Sequence, residues 1–124
     1  EWPVIISPME LLGPAISHFV GEMYTAGASL LSGKLGEKCF SEKFTFGDDR
    51  NAATHPGSCF FDAEGTVRPE DRGLLVQNGT LAALATTKNS AALFGLPVSG
   101  IVDYPTWYKI QSIYVAVTRI AELQ

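Results

Sequence analysis

Apolar and polar positions in the first part of the chain repeat with a helical period. Leu11, Leu12, Ala15, Ile16, Phe19, Val20 and Met23 recur at three- and four-residue steps, which gathers them on one stripe of a helix. A short apolar run, "PVIIS", precedes them and reads as a strand. Ser7, Pro8 and Glu10 then supply an N-cap, a first-turn proline and the acid of a capping box. Gly13 and Pro14 interrupt the stripe. An interior proline costs a helix about 3 kcal/mol, so the pattern predicts either a kinked helix or one that restarts at Pro14.

The period then changes. "SGKLGEKCFSE" is a glycine-punctuated connector, and "KFTFG" alternates, predicting a strand over Lys43 to Phe46. "DDRNAATHPGS" reads as a turn-rich loop, "CFFDAEG" as a strand entering a turn, and "TVRPEDR" as a polar loop. "GLLVQNGTLAAL" carries the clearest signal: Asn78-Gly79 between two apolar runs predicts a type I′ hairpin over 74–84, because both central residues need positive φ. "TTKNSAALFG" predicts a short helix capped by Thr86 or Thr87 and stopped by Gly95. In the tail, Trp107, Ile110, Tyr114, Val117 and Ile120 have helical spacing, although Ile113, Val115 and Val117 alternate. The helix is favoured because "TRIAELQ" lacks strand character. The expected class is α+β: an N-terminal strand and helix, a mainly antiparallel sheet with a hairpin at 74–84, and short C-terminal helices, all in a single domain over 1–124.

Composition narrows the function. The 124 residues are 46% hydrophobic and 18% charged, with a net charge of −4, which describes an ordinary globular domain. The nine basic residues form no stripe, so neither nucleic acid nor an anionic membrane is an expected partner. No apolar run approaches the roughly 18 residues of a membrane span, and no basic head marks a secretion signal, so the expected location is cytoplasmic. The chain opens on Glu1 rather than methionine, which implies a segment of something longer. Cys39 and Cys59 lack metal-ligand spacing and are expected as reduced, at least half-buried thiols; a disulfide between them is the open alternative.

Candidate chemistry is sparse. His18 and Glu22 stand four apart, which on a continuous helix puts both on one face, as in a zinc peptidase. A hydrolytic zinc needs a third protein ligand, and His55, in a proline-turn loop, is the only other histidine. The plainer reading is a weak surface pair. Asp48, Asp49, Asp62 and Glu64 could hold a hard cation. Their spacing is not that of an EF-hand, and the simpler expectation makes them turn residues alongside Gly65, Asn78 and Gly79. Cys39 has no histidine beside it in sequence, no GxSxG occurs, and the formal glycosylation sequon at Asn78 is accounted for by the hairpin.

Five segments in order, "PVIISP", "SGKLGEKCFSEKFTFGDD", "GSCFFDAEGT", "LLVQNGTLAAL" and "NSAALFG", resemble the TldD/PmbA family, once called modulators of DNA gyrase. The resemblance covers approximately residues 3 to 97, and the tail from Val98 does not visibly follow it. It implies peptidase biology: a zinc metallopeptidase subunit, TldD, carries an HExxxH helix, and a paralogue, PmbA or TldE, lacks it. The two form a heterodimer that trims peptides and degrades unfolded substrates. Setting the glycine of the family's HEAIGH form on Gly21 places Ser17 and Glu22 at the two ligand histidines and His18 at the general base. The family's third ligand, a distant cysteine, has no counterpart here, and Ala63 replaces the second aspartate of its FDDEG segment. The resemblance is therefore closer to PmbA/TldE and implies a non-catalytic component without a cofactor of its own, the zinc belonging to a catalytic partner. Such a chain would bind a TldD-like subunit, or itself, and an extended peptide through strand edges around Phe44, Phe46, Phe60, Phe61, Leu74 and Val76. The alternatives are a stand-alone metal-dependent peptidase with an unrecognised site and a purely structural fragment.

Overall fold

A computed structural model describes residues 13–53, 56 and 58–101, and the backbone of 113–117. The predicted N-terminal strand, the capping box at Ser7 to Glu10 and His55 lie outside these residues. The elements in chain order are a 3-10 turn at Ile16–Phe19, α1 at Gly21–Thr25, β1 at Phe44–Asp49, β2 at Arg72–Gln77, β3 at Thr80–Leu81, α2 at Lys88–Phe94 and β4 at Ile113–Val117. The strands form one antiparallel sheet in the order β3-β2-β1-β4. The class is α+β, as the residue pattern predicts.

The first helix is more broken than proline alone requires. Val20 is extended, with φ −80° and ψ 131°. It bridges Ala85: the Gly21 N–H donates to the Ala85 carbonyl at 2.9 Å and the Ala85 N–H to Phe19 O at 2.8 Å. Two long-range hydrogen bonds within the chain displace the local i→i−4 ladder, which is marginal in so short a segment. Gly21 makes the approach possible, since a Cβ there would sit 2.8 Å from Thr86 Cγ2.

The hairpin forms at Asn78-Gly79, both in the left-handed region at φ 48° and 79°. Gly79 presses against the 40–41 backbone, where a Cβ would meet Ser41 O at 2.6 Å. The outer side of β3 is covered in turn: Gly36 N–H donates to Leu81 O at 2.8 Å, Leu81 N–H to Glu37 O at 3.0 Å, and Lys38 bridges Thr80. β1 carries a register shift between Phe46 and Gly47. In α2, Thr87 caps the helix through a reciprocal box with Ser90, and Gly95, at φ 65°, ends it.

Phe19, Leu31, Phe46, Leu75, Val76, Leu81, Leu84 and Ala85 form the core. Four phenylalanines close a ring, Phe19 and Phe46 inside the core and the partly buried Phe40 and Phe44 packed against it: Phe19–Phe46 centroids are 5.2 Å apart, Phe40–Phe44 5.3 Å, Phe19–Phe40 6.2 Å and Phe44–Phe46 6.3 Å.

Four expectations need correction. The tail is not helical at 113–117: this stretch pairs antiparallel with β1 from Phe44↔Val117 to Asp48↔Ile113, so long-range pairing of a β-branched run prevails over its helical spacing. The strand expected in "CFFDAEG" shrinks to a single bridge, Phe61↔Val67. Asp62 Oδ1 accepts the N–H groups of Thr66 at 2.7 Å and Glu64 at 3.0 Å, reversing the chain at Gly65 before a ladder can extend. Asp48 and Asp49 are not turn residues but the buried end of β1. Of the thiols, both free, Cys39 is half-buried as expected, while Cys59 is exposed, against the expectation that both are at least half-buried.

Candidate functional site

His18 lies in the 3-10 turn and Glu22 in the first turn of α1. The extended Val20 between them removes the continuous helical face that a zinc-binding pair would need. The imidazole is engaged otherwise: Nδ1 accepts the Leu30 N–H at 3.2 Å, while the His18 carbonyl accepts the Ser29 hydroxyl at 2.6 Å. His18 thus ties the 28–31 loop to the turn. Ser17 is exposed. Among the described residues, no group of three or more His, Cys, Asp or Glu side chains could hold a metal ion. A zinc does not fit Ser17, His18 and Glu22: one lacks a ligating nitrogen or carboxylate, and the other two lie on either side of a break in the helix.

What surrounds His18 is apolar. With Ala15, Phe19, Leu30, Leu31, Phe40, Ser41 and Phe44 it lines a pocket of about 460 Å³. Leu30 is 76% exposed at its margin. Phe40 and Leu30 escape sequence reading because each sits in a connector without periodicity. A second pocket, about 260 Å³, lies where β2 meets the 82–86 and 96–101 segments and includes Gly73, Leu74, Thr86, Val98, Ser99 and Ile101 in its walls.

The six residues expected to contact a partner divide by position. Phe46 and Val76, at 2% and 0% exposure, are core and unavailable. β1 is an interior strand rather than an edge, because β2 and β4 pair with its two sides. Phe44 reaches the larger pocket and Leu74 the smaller one. Phe60 and Phe61 are exposed and meet edge-on at 5.0 Å.

The carboxylates sort similarly. Glu64 Oε2 accepts the Lys88 N–H at 2.7 Å and so caps α2. Asp48 and Asp49 enter a buried ion network that sequence gives no sign of. Asp48 Oδ2 accepts from Arg50 Nε at 2.6 Å and Arg68 Nη2 at 3.2 Å, and Asp49 Oδ2 from Arg72 Nε at 2.9 Å. Burial pushes the Arg68 guanidinium below its ordinary value, with Asp48 pulling it back.

Fold and sequence pattern together define a small α+β module of metallopeptidase-family type. The sequence matches the PmbA/TldA metallopeptidase C-terminal domain over residues 1–119, and the chain belongs to the PmbA/TldD family. The match runs past Val98 into the tail, where the resemblance of segments stops. Two relatives are a metalloprotease of Methanothermobacter thermautotrophicus, 38% identical over 101 residues, or 77% of this chain and 22% of that protein, and a metalloprotease TldD homolog of Buchnera aphidicola, 33% identical over 103 residues, or 80% and 21%. TldE from Thermococcus kodakarensis superposes with a TM-score of 0.60 at 26% identity, over 82% of this chain and 22% of that one. The chain therefore spans about a fifth of the length of these relatives. No helix among the described residues is long and apolar enough to cross a membrane.

Proposed function

We propose that the chain is a non-catalytic, PmbA/TldE-like component of a two-subunit metallopeptidase system, working by binding. The observation that supports this reading is the local geometry: Val20 breaks the helix between His18 and Glu22, and His18 Nδ1 takes the Leu30 amide; on the placement that the resemblance implies, Ser17 and Glu22 take the positions of two ligand imidazoles. The zinc and the hydrolytic step belong to a TldD-like catalytic partner. Residues 1–124 form one domain of a longer, cytoplasmic protein.

The mode of binding follows from the sheet. β1 is internal and β3 is covered by residues 36–40, so a strand added to this sheet, from the partner or from an extended peptide, joins on the β4 side. Phe44 with its pocket and the Phe60–Phe61 pair supply apolar contact. The test mixes the purified chain with a TldD-type subunit and follows complex formation by native mass and peptide hydrolysis by fluorescence. A heterocomplex is expected, with hydrolysis only when the catalytic subunit is present. Chelator-sensitive hydrolysis by this chain alone contradicts the reading, as does a chain that pairs only with itself.

A further inference from the structure

Arg68 stands outside the proposed function. Its side chain is 11% exposed. Nη2 donates to Asp71 O at 2.8 Å and to Asp48 Oδ2 at 3.2 Å, an oxygen shared with Arg50. Nε and Nη1 are buried and have no hydrogen-bond partner. A buried cation with unmet donors is costly, and native structures normally satisfy such donors with protein, water or an ion.

Two glycines make room for this side chain. A Cβ on Gly73 would collide with Nη1 and lie 2.8 Å from Cζ; one on Gly100 would lie 2.8 Å from Arg68 Cγ. Gly73 and Ile101 are also walls of the 260 Å³ pocket. The guanidinium therefore sits directly behind a pocket wall that, at Gly73, has no side chain. Around it the pocket is apolar: Leu74, Ala83, Leu84, Leu96 and Val98. The hydroxyls of Thr86 and Ser99 are consumed by each other's backbones and by Pro97 O. Among the described residues, Arg68 brings two unmet side-chain nitrogens to this wall. At 260 Å³ the space is below the roughly 300–1,000 Å³ of drug-sized sites and suits a group of amino-acid size.

We propose that this pocket binds a free carboxylate carried on an apolar group, with Arg68 Nη1 as its anchor across Gly73. The incoming carboxylate accepts the unmet N–H as the Ile101 side chain turns aside, giving a charge-assisted hydrogen bond in a dry site. Its apolar group rests on Leu74, Leu84 and Leu96. Asp48 beside Arg68 weakens the attraction without abolishing it, because its Oδ2 engages Nη2 and not Nη1. The terminal residue of a peptide and a medium-chain fatty acid share this chemistry.

The test titrates the 124-residue chain calorimetrically with N-acetyl-Ala-Leu, its C-terminal amide, and octanoate. The acid is expected to bind at least about tenfold more tightly than the amide, a difference of about 1.4 kcal/mol. Peptide acid tighter than octanoate assigns the site to peptide C-termini, and the reverse to acyl acids. Arg68→Met should erase the preference for acid over amide. Because that variant disturbs the ion network, Val98→Glu provides the second reading: Val98 is 46% exposed, so the change should leave the unfolding midpoint in place while repelling the carboxylate and weakening the acid at least about tenfold. Equal binding of acid and amide, no saturable binding of the acid, or an unaffected Val98→Glu variant overturns the proposal. The titration uses neither zinc nor a catalytic partner, so its failure leaves the proposed function standing.

Discussion

Replacing Asp48 by asparagine tests the buried ion network most sharply. The change keeps the side-chain shape and removes one charge. Asp48 and Arg50 are 8% and 7% exposed at the side chain, and Arg68 11%, so solvent cannot compensate. Two guanidiniums now share one carboxylate oxygen, at 2.6 and 3.2 Å; in Asp48→Asn they face a neutral amide. Breaking a buried pair by removing one partner costs about 3–5 kcal/mol, most of it the uncompensated charge left behind. A domain is stable by about 5–15 kcal/mol in total, so about a fifth or more of the margin is at stake. For a chain between the 100- and 150-residue classes, each kcal/mol lowers Tm by about 3–5 °C, giving an expected drop of about 10–25 °C. Thermal unfolding followed by far-ultraviolet circular dichroism, with a guanidinium titration for ΔG, measures it. The pairing has a second signature: in a cycle with Arg68→Gln, the double variant should lose less than the sum of the singles by at least about 1 kcal/mol. An Asp48→Asn loss under about 1 kcal/mol, or additive single variants, refutes a network held by Asp48.

Phe46→Ala removes the 2%-exposed ring that packs on Phe19 at 5.2 Å and should cost about 3–5 kcal/mol in denaturant unfolding. Gly79→Ala forces a Cβ onto the carbonyls of Phe40 and Ser41 at φ 79° and should cost about 2–5 kcal/mol from left-handed strain plus overpacking, with an unchanged m-value. Thr87→Ala deletes the capping box of α2 and should cost about 0.5–2 kcal/mol, while Thr87→Ser retains most of the stability.

Much of the α2 region and the hairpin is legible in sequence because their signals are local. Asn78-Gly79 states its turn type in two residues, and Thr87 and Gly95 bracket seven helical positions. The misreadings share a non-local cause. The break at Val20 comes from hydrogen bonds to Ala85, 65 positions away in a chain whose local spacing still reads as helix. The strand at 113–117 exists because β1 offers a side to pair with, whereas its own spacing fits both periods. Asp48 and Asp49 look like the start of a loop, and only arginines from elsewhere in the chain, Arg68 and Arg72, make them interior. The candidate site divides the same way. The His18–Glu22 spacing is visible in the letters, but the Leu30 amide on His18 Nδ1 and the unmet nitrogens of Arg68 arise only once distant segments meet.

The central claim, that the turn carrying His18 has given up metal chemistry, is tested most directly by zinc titration of the purified chain with elemental analysis after dialysis. The expected result is far less than one zinc per chain, unchanged in His18→Ala. One tightly held zinc per chain, lost when His18 is replaced, would contradict it.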